Sequence, residues 1–582
     1  MKTILRKSVF ATIIGLLVTI SAFAYSGGNG TEQEPYLISS KADMEELATK
    51  VNGGQTYAGV YFLLTRDLTE AEDVITTVIG EGTCYFSGVF DGGDHKVNVN
   101  INININNTYY GYAGVFGCVS DAIIKNLGVT GSITGAIAGS ICGIGNGTTI
   151  ITNCYNTGDV AASYFAGGIC GRIVYCTATI TDCYNTGDIS ATFDYDSNAG
   201  GICGGAYATI TNCYNTGNVS SATTTSSSNA GGICGEAYAT ITITNCHNTG
   251  DISSSSSAAA AAYSYSYAGG ICGYVYNGTS IITNCYNTGE ISASAISYSS
   301  YSSYSFAGGI CGEAYYITIT NCYNIGDISS SAISSYSSYS YSSVGGICGY
   351  VYNGTITNCY NTGDISAASY SSDPFSNAGG ICGWTVEGTI ANCIAANTTI
   401  TALKNSINNS TYAGRIVRYG GTVQNCYALA AMQINSATRS SQNANSKDGK
   451  DENIASFQLQ SWIEENVEWD FDEIWEMSII NSIFQGFPIF KNQTDLGITS
   501  IETPKLEEKR DIVVYPNPAK DYFSIQSDKP VEKIEIYNSS GFCVLSKNTG
   551  CDKVDVSAWA AGFYFVRIYV DGASWVRKVL VE

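Results

Sequence analysis

The sequence predicts an all-β chain wound as a parallel β-solenoid of about ten coils. Three observations carry this reading. A small apolar run, Ala-Gly-Gly-Ile-Cys-Gly, recurs down the middle of the chain and is followed each time by Thr-Asn-Cys-Tyr-Asn-Thr-Gly-Asp or a close variant. The first Cys of the motif returns every 28 to 39 residues, the period of stacked-repeat proteins whose single units cannot bury their own apolar face. No repeat carries a capped helical period, whereas both runs of the motif read as short strands punctuated by Gly and Asn.

The elements follow in chain order. Residues 1–24 read as a secretory signal, with Lys2, Arg6 and Lys7 ahead of an apolar stretch and Ala22-Phe23-Ala24 as the cleavage site, Ala22 and Ala24 being its small residues. Residues 25–110 form an N-terminal cap and first strands. Within them Lys41–Ala48 is a short amphipathic helix capped by Ser40 and stopped at Gly53-Gly54, placed to cover the open end of the column. Residues 111–430 hold the repeats. Residues 431–494 form a Trp-rich closing cap, expected as a plug over the last coil because Trp462, Trp469 and Trp475 fall so close together. Residues 495–510 are a polar linker, and 511–582 form a small β-sandwich domain with strands near Val531–Asn538, Cys543–Leu545, Gly562–Val570 and Trp575–Val581.

Eight units carry both cysteines: Cys142/Cys154, Cys170/Cys183, Cys203/Cys213, Cys234/Cys246, Cys272/Cys285, Cys311/Cys322, Cys348/Cys359 and Cys382/Cys393. Two more appear when the Cys requirement is relaxed. One puts Phe116 and Leu127 in the Cys slots, the other Val417 and Cys426. Ten units at about 4.8 Å per parallel strand give a column roughly 45 Å long. Phe, Leu and Val replace a buried hydrophobe but neither a metal ligand nor half a disulfide. The cysteines are therefore expected as reduced, interior core ladders, although an exported chain leaves pairing open. With two His, His95 and His247, and no tight C-x₂-C pair, zinc is not expected, and no cofactor is called for.

Three features remain for function. The residue after the second Cys is usually Tyr (Tyr155, Tyr184, Tyr214, Tyr286, Tyr323, Tyr360, Tyr427), with His247 and Ile394 interrupting. Alternation sends this ladder outward, either to stack between coils or as a platform for sugars or a partner. Insertions of Ser, Tyr and Ala at 253–267, 292–306 and 329–343 emerge at one point of the repeat, as an extended third wall or as a binding surface. A turn acid recurs at Asp159, Asp188, Asp251, Glu290, Asp327 and Asp364, with Asn218 breaking the row. Turn chemistry explains it more simply than calcium, for which one Asp per coil supplies too few oxygens.

Charge and composition exclude several classes. Formal net charge is −22, and between Gly135 and Ile400 thirteen acids face one basic residue, Arg172, so nucleic acid is not a partner. No mature segment is long and apolar enough to span a bilayer as a helix. A polysaccharide lyase or glycoside hydrolase on a β-helix is the rival class. Lys is absent between Gly135 and Leu403, and pairs such as Asp182/Asp188 or Asp194/Asp196 read as loop acids.

The repeat units, together with Phe86-Ser87-Gly88-Val89-Phe90-Asp91-Gly92 and Tyr112-Ala113-Gly114-Val115-Phe116-Gly117, resemble bacterial surface proteins with GLUG-type repeats. That resemblance implies a right-handed solenoid on an exported protein. The end of the chain, from Tyr515-Pro516-Asn517-Pro518-Ala519 through Gly562-Phe563-Tyr564-Phe565-Val566 to Lys578-Val579-Leu580-Val581, is similar to the type A sorting domain of the type IX secretion system of Bacteroidetes. It implies partnership with that machinery through 511–582 and passage via the periplasm to the cell surface or medium. The expectation is a non-enzymatic adhesin or structural surface protein, with a host glycan or matrix protein as ligand.

Overall fold

In a computed structural model, residues 25–103, 111–174, 178–258, 262–298, 301–335, 339–405, 407–408, 412–478, 483–491 and 493 are described, as are 513–515, 519–527, 530–538, 543–548, 553–557, 559, 562–570 and 573–581. The chain divides into two compact units, Met1–Thr494 and Asp495–Glu582. The signal and its Ala22/Ala24 site lie outside the described residues.

The first unit is a solenoid whose coils each contribute to three walls of parallel strands. Wall one has thirteen strands, from Tyr36–Ile38 to Thr422–Gln424. Its repeat sequence is Thr-Ile-Thr, and alternation sends Ile inward. Ile151, Ile180, Ile210, Ile243, Ile282, Ile319, Ile356 and Ile390 form one buried column. Wall three has ten strands, from Phe116–Ser120 to Val417–Tyr419, so ten coils are complete. Wall two begins at the Tyr-Asn pair after the second Cys. Three further strands of wall one, at Tyr36–Ile38, Tyr61–Leu64 and Val89–Asp91, precede the first full coil. The N-terminal block is thus largely part of the column, and α1 (Lys41–Asn52) buries Met44, Leu47, Ala48 and Val51 in the same core. The Ser40 side chain accepts from Asp43 N–H at its start, and Gly53 ends it.

Two Asn residues per repeat shape each coil. The first, as at Asn153, Asn212 and Asn284, lies in the left-handed region (φ 51°, 54° and 52°), which Asn tolerates, and turns the corner after wall one. The second is fully buried. Asn185 Nδ2 donates to Gly187 O at 2.7 Å, closing its own turn, and to Asn215 Oδ1 of the next coil at 2.7 Å. The same double bond recurs at Asn156, Asn215, Asn248, Asn287 and Asn324.

The repeated second Gly of Ala-Gly-Gly-Ile-Cys has a different cause. At Gly168, Gly201, Gly232, Gly270, Gly309, Gly346 and Gly380 a Cβ would lie 2.0–2.2 Å from a carbonyl oxygen of the next coil. The last complete coil has no such successor, and Arg415 stands at this position. Its side chain is fully buried, with Nη2 donating to Asp451 Oδ1 at 2.5 Å and to Gly449 O at 3.3 Å.

The closing segment departs from the expected plug. Only its first part, α2 (Ile454–Phe457) and α3 (Gln460–Val467), sits by the final coil, where Trp462 meets the Tyr427 ring edge-on at 5.0 Å. From Trp469 the chain packs back along the column's flank. Trp469 Nε1 donates to Asn392 O at 2.9 Å, Tyr360 Oη to Pro488 O at 2.8 Å and Tyr323 Oη to Gln493 Oε1 at 2.9 Å. The physical reason is the outward Tyr column, an aromatic strip against which Trp469, Trp475, Phe487 and Phe490 pack their rings.

The second unit is a sandwich of a three-stranded antiparallel sheet (Val513–Tyr515, Tyr522–Gln526, Lys553–Asp555) and a four-stranded one (Lys533–Asn538, Cys543–Lys547, Gly562–Val570, Ala573–Val581). Phe523, Ile525, Ile534, Ile536, Val566 and Ile568 fill its core. The strands at 513–515, 522–526 and 553–555 escape the sequence reading because each is short and its polar neighbours read as turn.

Two stability predictions follow from this packing. Asn287→Ala leaves Gly289 O and Asn324 Oδ1 without their donor inside the column, at about 1–3 kcal/mol for each buried group unpaired. Hydrogen exchange should show the loss concentrated in the coils on either side of Asn287. Trp475 is fully buried against Trp469 and Phe490, with ring centroids 4.8 Å away in each case. Trp475→Ala should cost about 3–5 kcal/mol in denaturant unfolding and expose Tyr323 and Tyr360 to solvent perturbation.

Candidate binding surfaces

The periodic thiols lie inside. Cys142, Cys170, Cys203, Cys234, Cys272, Cys311, Cys348 and Cys382 stack in register on wall three, ended by Phe116 and Val417. Cys154, Cys183, Cys213, Cys246, Cys285, Cys322, Cys359 and Cys393 form the second column, continued by Cys426. All of these are buried free thiols, and Cys142 Sγ lies 3.2 Å from Cys170 Sγ. Burial pushes the Cys203 thiol well above its ordinary range, which is the opposite of what a nucleophile needs. Among the described residues no group of three or more His, Cys, Asp and Glu is arranged to hold a metal ion.

The turn acids form a surface ladder. Asp159, Asp188, Asp251, Asp327 and Asp364 cap the backbone of the next coil: Glu290 N–H donates to Asp251 Oδ1 at 3.0 Å, Asp364 N–H to Asp327 Oδ1 at 2.8 Å, and Thr399 N–H to Asp364 Oδ1 at 2.7 Å. Asn218 plays the same part, accepting from Asp251 N–H at 3.2 Å. A shallow cavity of about 420 Å³ runs beside Asp251, Glu290, Asp327 and Asp364. Successive acids occupy the same turn in successive coils, where Asp251, Asp327 and Asp364 are each engaged by backbone donors. Asp182, at a left-handed corner, accepts from Asn212 Nδ2 at 3.0 Å, and Asp194 and Asp196 accept from Thr224 and Ser226 of the next coil at 2.9 and 2.7 Å.

The Tyr ladder points outward, and its rings stack at 4.8–5.0 Å through Tyr155, Tyr184, Tyr214, His247, Tyr286, Tyr323 and Tyr360. The expected external ladder is only partly external. Tyr155, Tyr184 and Tyr214 are half-buried, whereas Tyr286, Tyr323 and Tyr360 lie under the closing segment. His247 at the boundary is pushed down to about 4 by burial.

The described parts of the Ser/Tyr insertions are strands; residues 259–261, 299–300 and 336–338 lie outside the described residues. Two strands per coil, such as Ile252–Ala258 and Ser264–Gly269, face each other and extend wall two into a fin. Its interior is hydroxyl. Ser264 Oγ donates to Ser256 Oγ at 2.8 Å, Ser266 Oγ to Ser254 Oγ at 2.9 Å and Ser342 Oγ to Ser330 Oγ at 2.9 Å. Ser-Tyr alternation therefore has a plain cause: Ser points in to the facing strand, and Tyr points out. The outer face of the returning strands is aromatic, with Tyr265, Tyr304, Tyr341 and Phe375 in one column at 5.0, 5.9 and 4.8 Å.

That column meets a second aromatic surface on wall three, which the sequence reading missed. Two residues after the first Cys, successive coils place Glu236, Tyr274, Glu313, Tyr350, Trp384 and Tyr419 in register. Two further on, Tyr238, Tyr276, Tyr315 and Tyr352 add another column. The rings meet across the angle between fin and wall: Tyr267–Tyr274 at 4.7 Å, Phe306–Tyr350 at 5.9 Å and Tyr341–Trp384 at 5.4 Å. The signal was present as aromatics at fixed offsets from Cys, masked by Glu at alternate places. Both glutamates are buried, each accepting from the Tyr two residues on. Burial pushes Glu236 up to about 8, with Asp196 adding to the rise, and Glu313 up to about 7.

Family comparisons agree with the geometry. The GLUG motif matches residues 195–220, 226–253, 264–292 and 340–366, each segment a part of one or two coils. The secretion system C-terminal sorting domain matches 513–582, the sandwich unit. The chain is thus an exported solenoid bearing GLUG repeats and a type IX sorting domain. It is a secreted or outer-surface-attached protein that engages the type IX machinery through its C-terminal domain. No curated protein sequence matches it. Among solved structures it is similar to a "putative immunoglobulin A1 protease" from Bacteroides ovatus, at 18% identity and TM-score 0.29 over 80% of this chain and 95% of that one, a superposition too loose to speak to activity.

Glu313 makes stability depend on pH in a stated direction. Its carboxyl titrates near 7 folded and at the ordinary 4.5 unfolded, so the unfolded chain loses its proton first. Stability is full below about 4.5 and falls as pH rises through 7, by about 3 kcal/mol. His247 acts with the other sign in a lower window, losing stability as pH falls from 6.5 through 4. Glu313→Gln should raise the melting temperature at pH 8 relative to the parent and leave it nearly unchanged at pH 4.5.

Proposed function

We propose that the protein is a non-enzymatic adhesin, a rigid column that presents one repeated surface to a ligand outside the cell. The observation that carries this reading is the outward aromatic surface of fin and wall three, repeated coil after coil on a chain sorted for export. Burying Cys, Ile and Asn in registered columns is enough to make a solenoid. Lining an outer face with Tyr, Phe and Trp does not help exclude water from that core. Large exposed aromatic patches mark interaction sites. Tyr276 and Tyr419 remain 41% and 53% exposed, so this face is not fully covered by the chain itself.

A polysaccharide-degrading enzyme is the alternative. The acid ladder and its cavity would be its site, but Asp251, Asp327 and Asp364 already accept backbone N–H groups of the next coil, which accounts for them as turn caps. Host glycans and matrix proteins are the ligand classes to test first. The deciding experiment displays the chain on cells with and without residues 511–582 and screens adhesion to mucins, matrix proteins and glycans. Adhesion is expected from the full chain and lost without 511–582. It should also fall when the three Ser/Tyr insertions are removed together. Absence of adhesion to the whole panel by displayed protein, or release of reducing sugar from any glycan in it, would overturn the reading.

A further inference from the structure

We propose that the angle between the fin and wall three is a binding cleft for a neutral polysaccharide, laid lengthwise so that successive sugar rings rest on the aromatic columns of successive coils. This deepens the adhesin reading and rests on it for biological purpose, though not for its chemistry. Sugar recognition needs flat apolar surfaces for the C–H faces of pyranose rings and a few placed polar atoms for their hydroxyls. Both are present. Along wall three, Tyr350 and Trp384 stand 5.4 Å apart and Trp384 and Tyr419 6.1 Å, and on the fin side Tyr304 and Tyr341 stand 5.9 Å apart. These rings recur one coil apart, edge-on along wall three and stacked on the fin.

The polar atoms are the second, independent observation. Glu313 stands between Tyr274 and Tyr350 on the outward face of wall three and is 5% exposed. Tyr315 donates to its carboxyl group, but Oε2 has no hydrogen-bond partner. The Trp384 Nε1 donor, two coils on, is likewise buried without an acceptor. A buried polar atom left unpaired costs free energy in a folded chain. A hydroxyl-rich chain laid along wall three from Tyr274 to Trp384 would supply the donor for Oε2 and an acceptor for Nε1.

Charge narrows the class. Thirteen acids and one basic residue lie between Gly135 and Ile400, and that Arg172 is held over the Phe165 ring at 4.4 Å. Lys404, Arg418 and Lys447 stand only at the far end, against Phe375 and Tyr419. Over the coils from Tyr274 to Trp384, uronic, sialic or sulfated chains would meet repulsion from acids with no cation to offset it. Neutral hexose or pentose polymers would not.

The test uses the folded chain with mannan, xylan and mixed-linkage β-glucan as neutral probes, and polygalacturonate and heparin as anionic ones, read by affinity electrophoresis and calorimetry. At least one neutral polymer should bind and neither anionic one should. Tyr276→Ala with Tyr419→Ala removes exposed rings and leaves the core intact, and should weaken binding at least tenfold. Tyr184→Ala, on the separate Tyr ladder, should leave it unchanged. Glu313→Ala should also weaken binding, and circular dichroism reports whether the column survives the change. Failure of all neutral polymers, preference for an anionic one, or indifference to the Tyr276/Tyr419 pair would overturn the cleft. Concentration-dependent dimerisation abolished by that same pair would overturn it too, by assigning the face to a second copy of the chain. Adhesion of displayed cells that survives the pair would sink the cleft and spare the adhesin reading. Polymer binding in solution without cell adhesion would do the reverse.

Discussion

The buried Asn amide is the interaction on which the rest of the column depends. One side chain closes the turn of its own coil by donating to the Gly carbonyl two residues on. The same nitrogen sets the register with the next coil by donating to its Asn. Turn shape and coil spacing are thereby coupled through one residue per repeat. In-register stacking of Cys on Cys and Ile on Ile follows from it, because a slip of one position would unpair every amide in the ladder. Parallel strands are otherwise weakly specified when neighbouring coils share nearly the same sequence. A polar ladder inside an apolar core supplies the discrimination that hydrophobic burial alone lacks.

The cysteines fit this picture as filling. Their neighbours in the terminal coils are Phe, Leu and Val at the same register positions, and the column changes only in volume there. The serines of the fin are a second kind of filling. Two facing strands lined with Ser satisfy each other's hydroxyls, which lets wall two extend beyond the apolar core without adding one. A fin built this way has a polar acid-edged face on one side and an aromatic face on the other, and it is the aromatic one that turns toward wall three.

Two aromatic strips on one column have opposite fates. The Tyr column on wall two is met by the chain's own Trp-rich segment, with Trp469, Trp475, Phe487 and Phe490 lying over Tyr286, Tyr323 and Tyr360. The strips on the fin and on wall three keep exposed members. The first strip shows how this surface chemistry is covered when a partner is available in the same chain. What distinguishes the second is its open rings, with Tyr276 and Tyr419 left exposed, as expected where the complement comes from outside.

Much of this was legible in the amino-acid order. The Cys pairs counted eight coils, and two units with Phe116/Leu127 and Val417/Cys426 in the same slots brought the count to ten. Thr-Ile-Thr and Tyr-Asn alternation assigned faces, the Ser40 cap and Gly53 bounded α1, and the C-terminal strands from Gly562 announced a separate β unit. These are local facts, set by backbone preference and by which neighbours alternate. The structure alone decided what lies against what. That the Trp-rich segment would run back along the Tyr column, that Ser/Tyr strands would fold into a fin, and that residues two and four places after each first Cys would meet that fin at an angle are outcomes of packing between segments far apart in sequence. Periodicity names the face a side chain takes, but only the path of the chain in three dimensions brings two faces together.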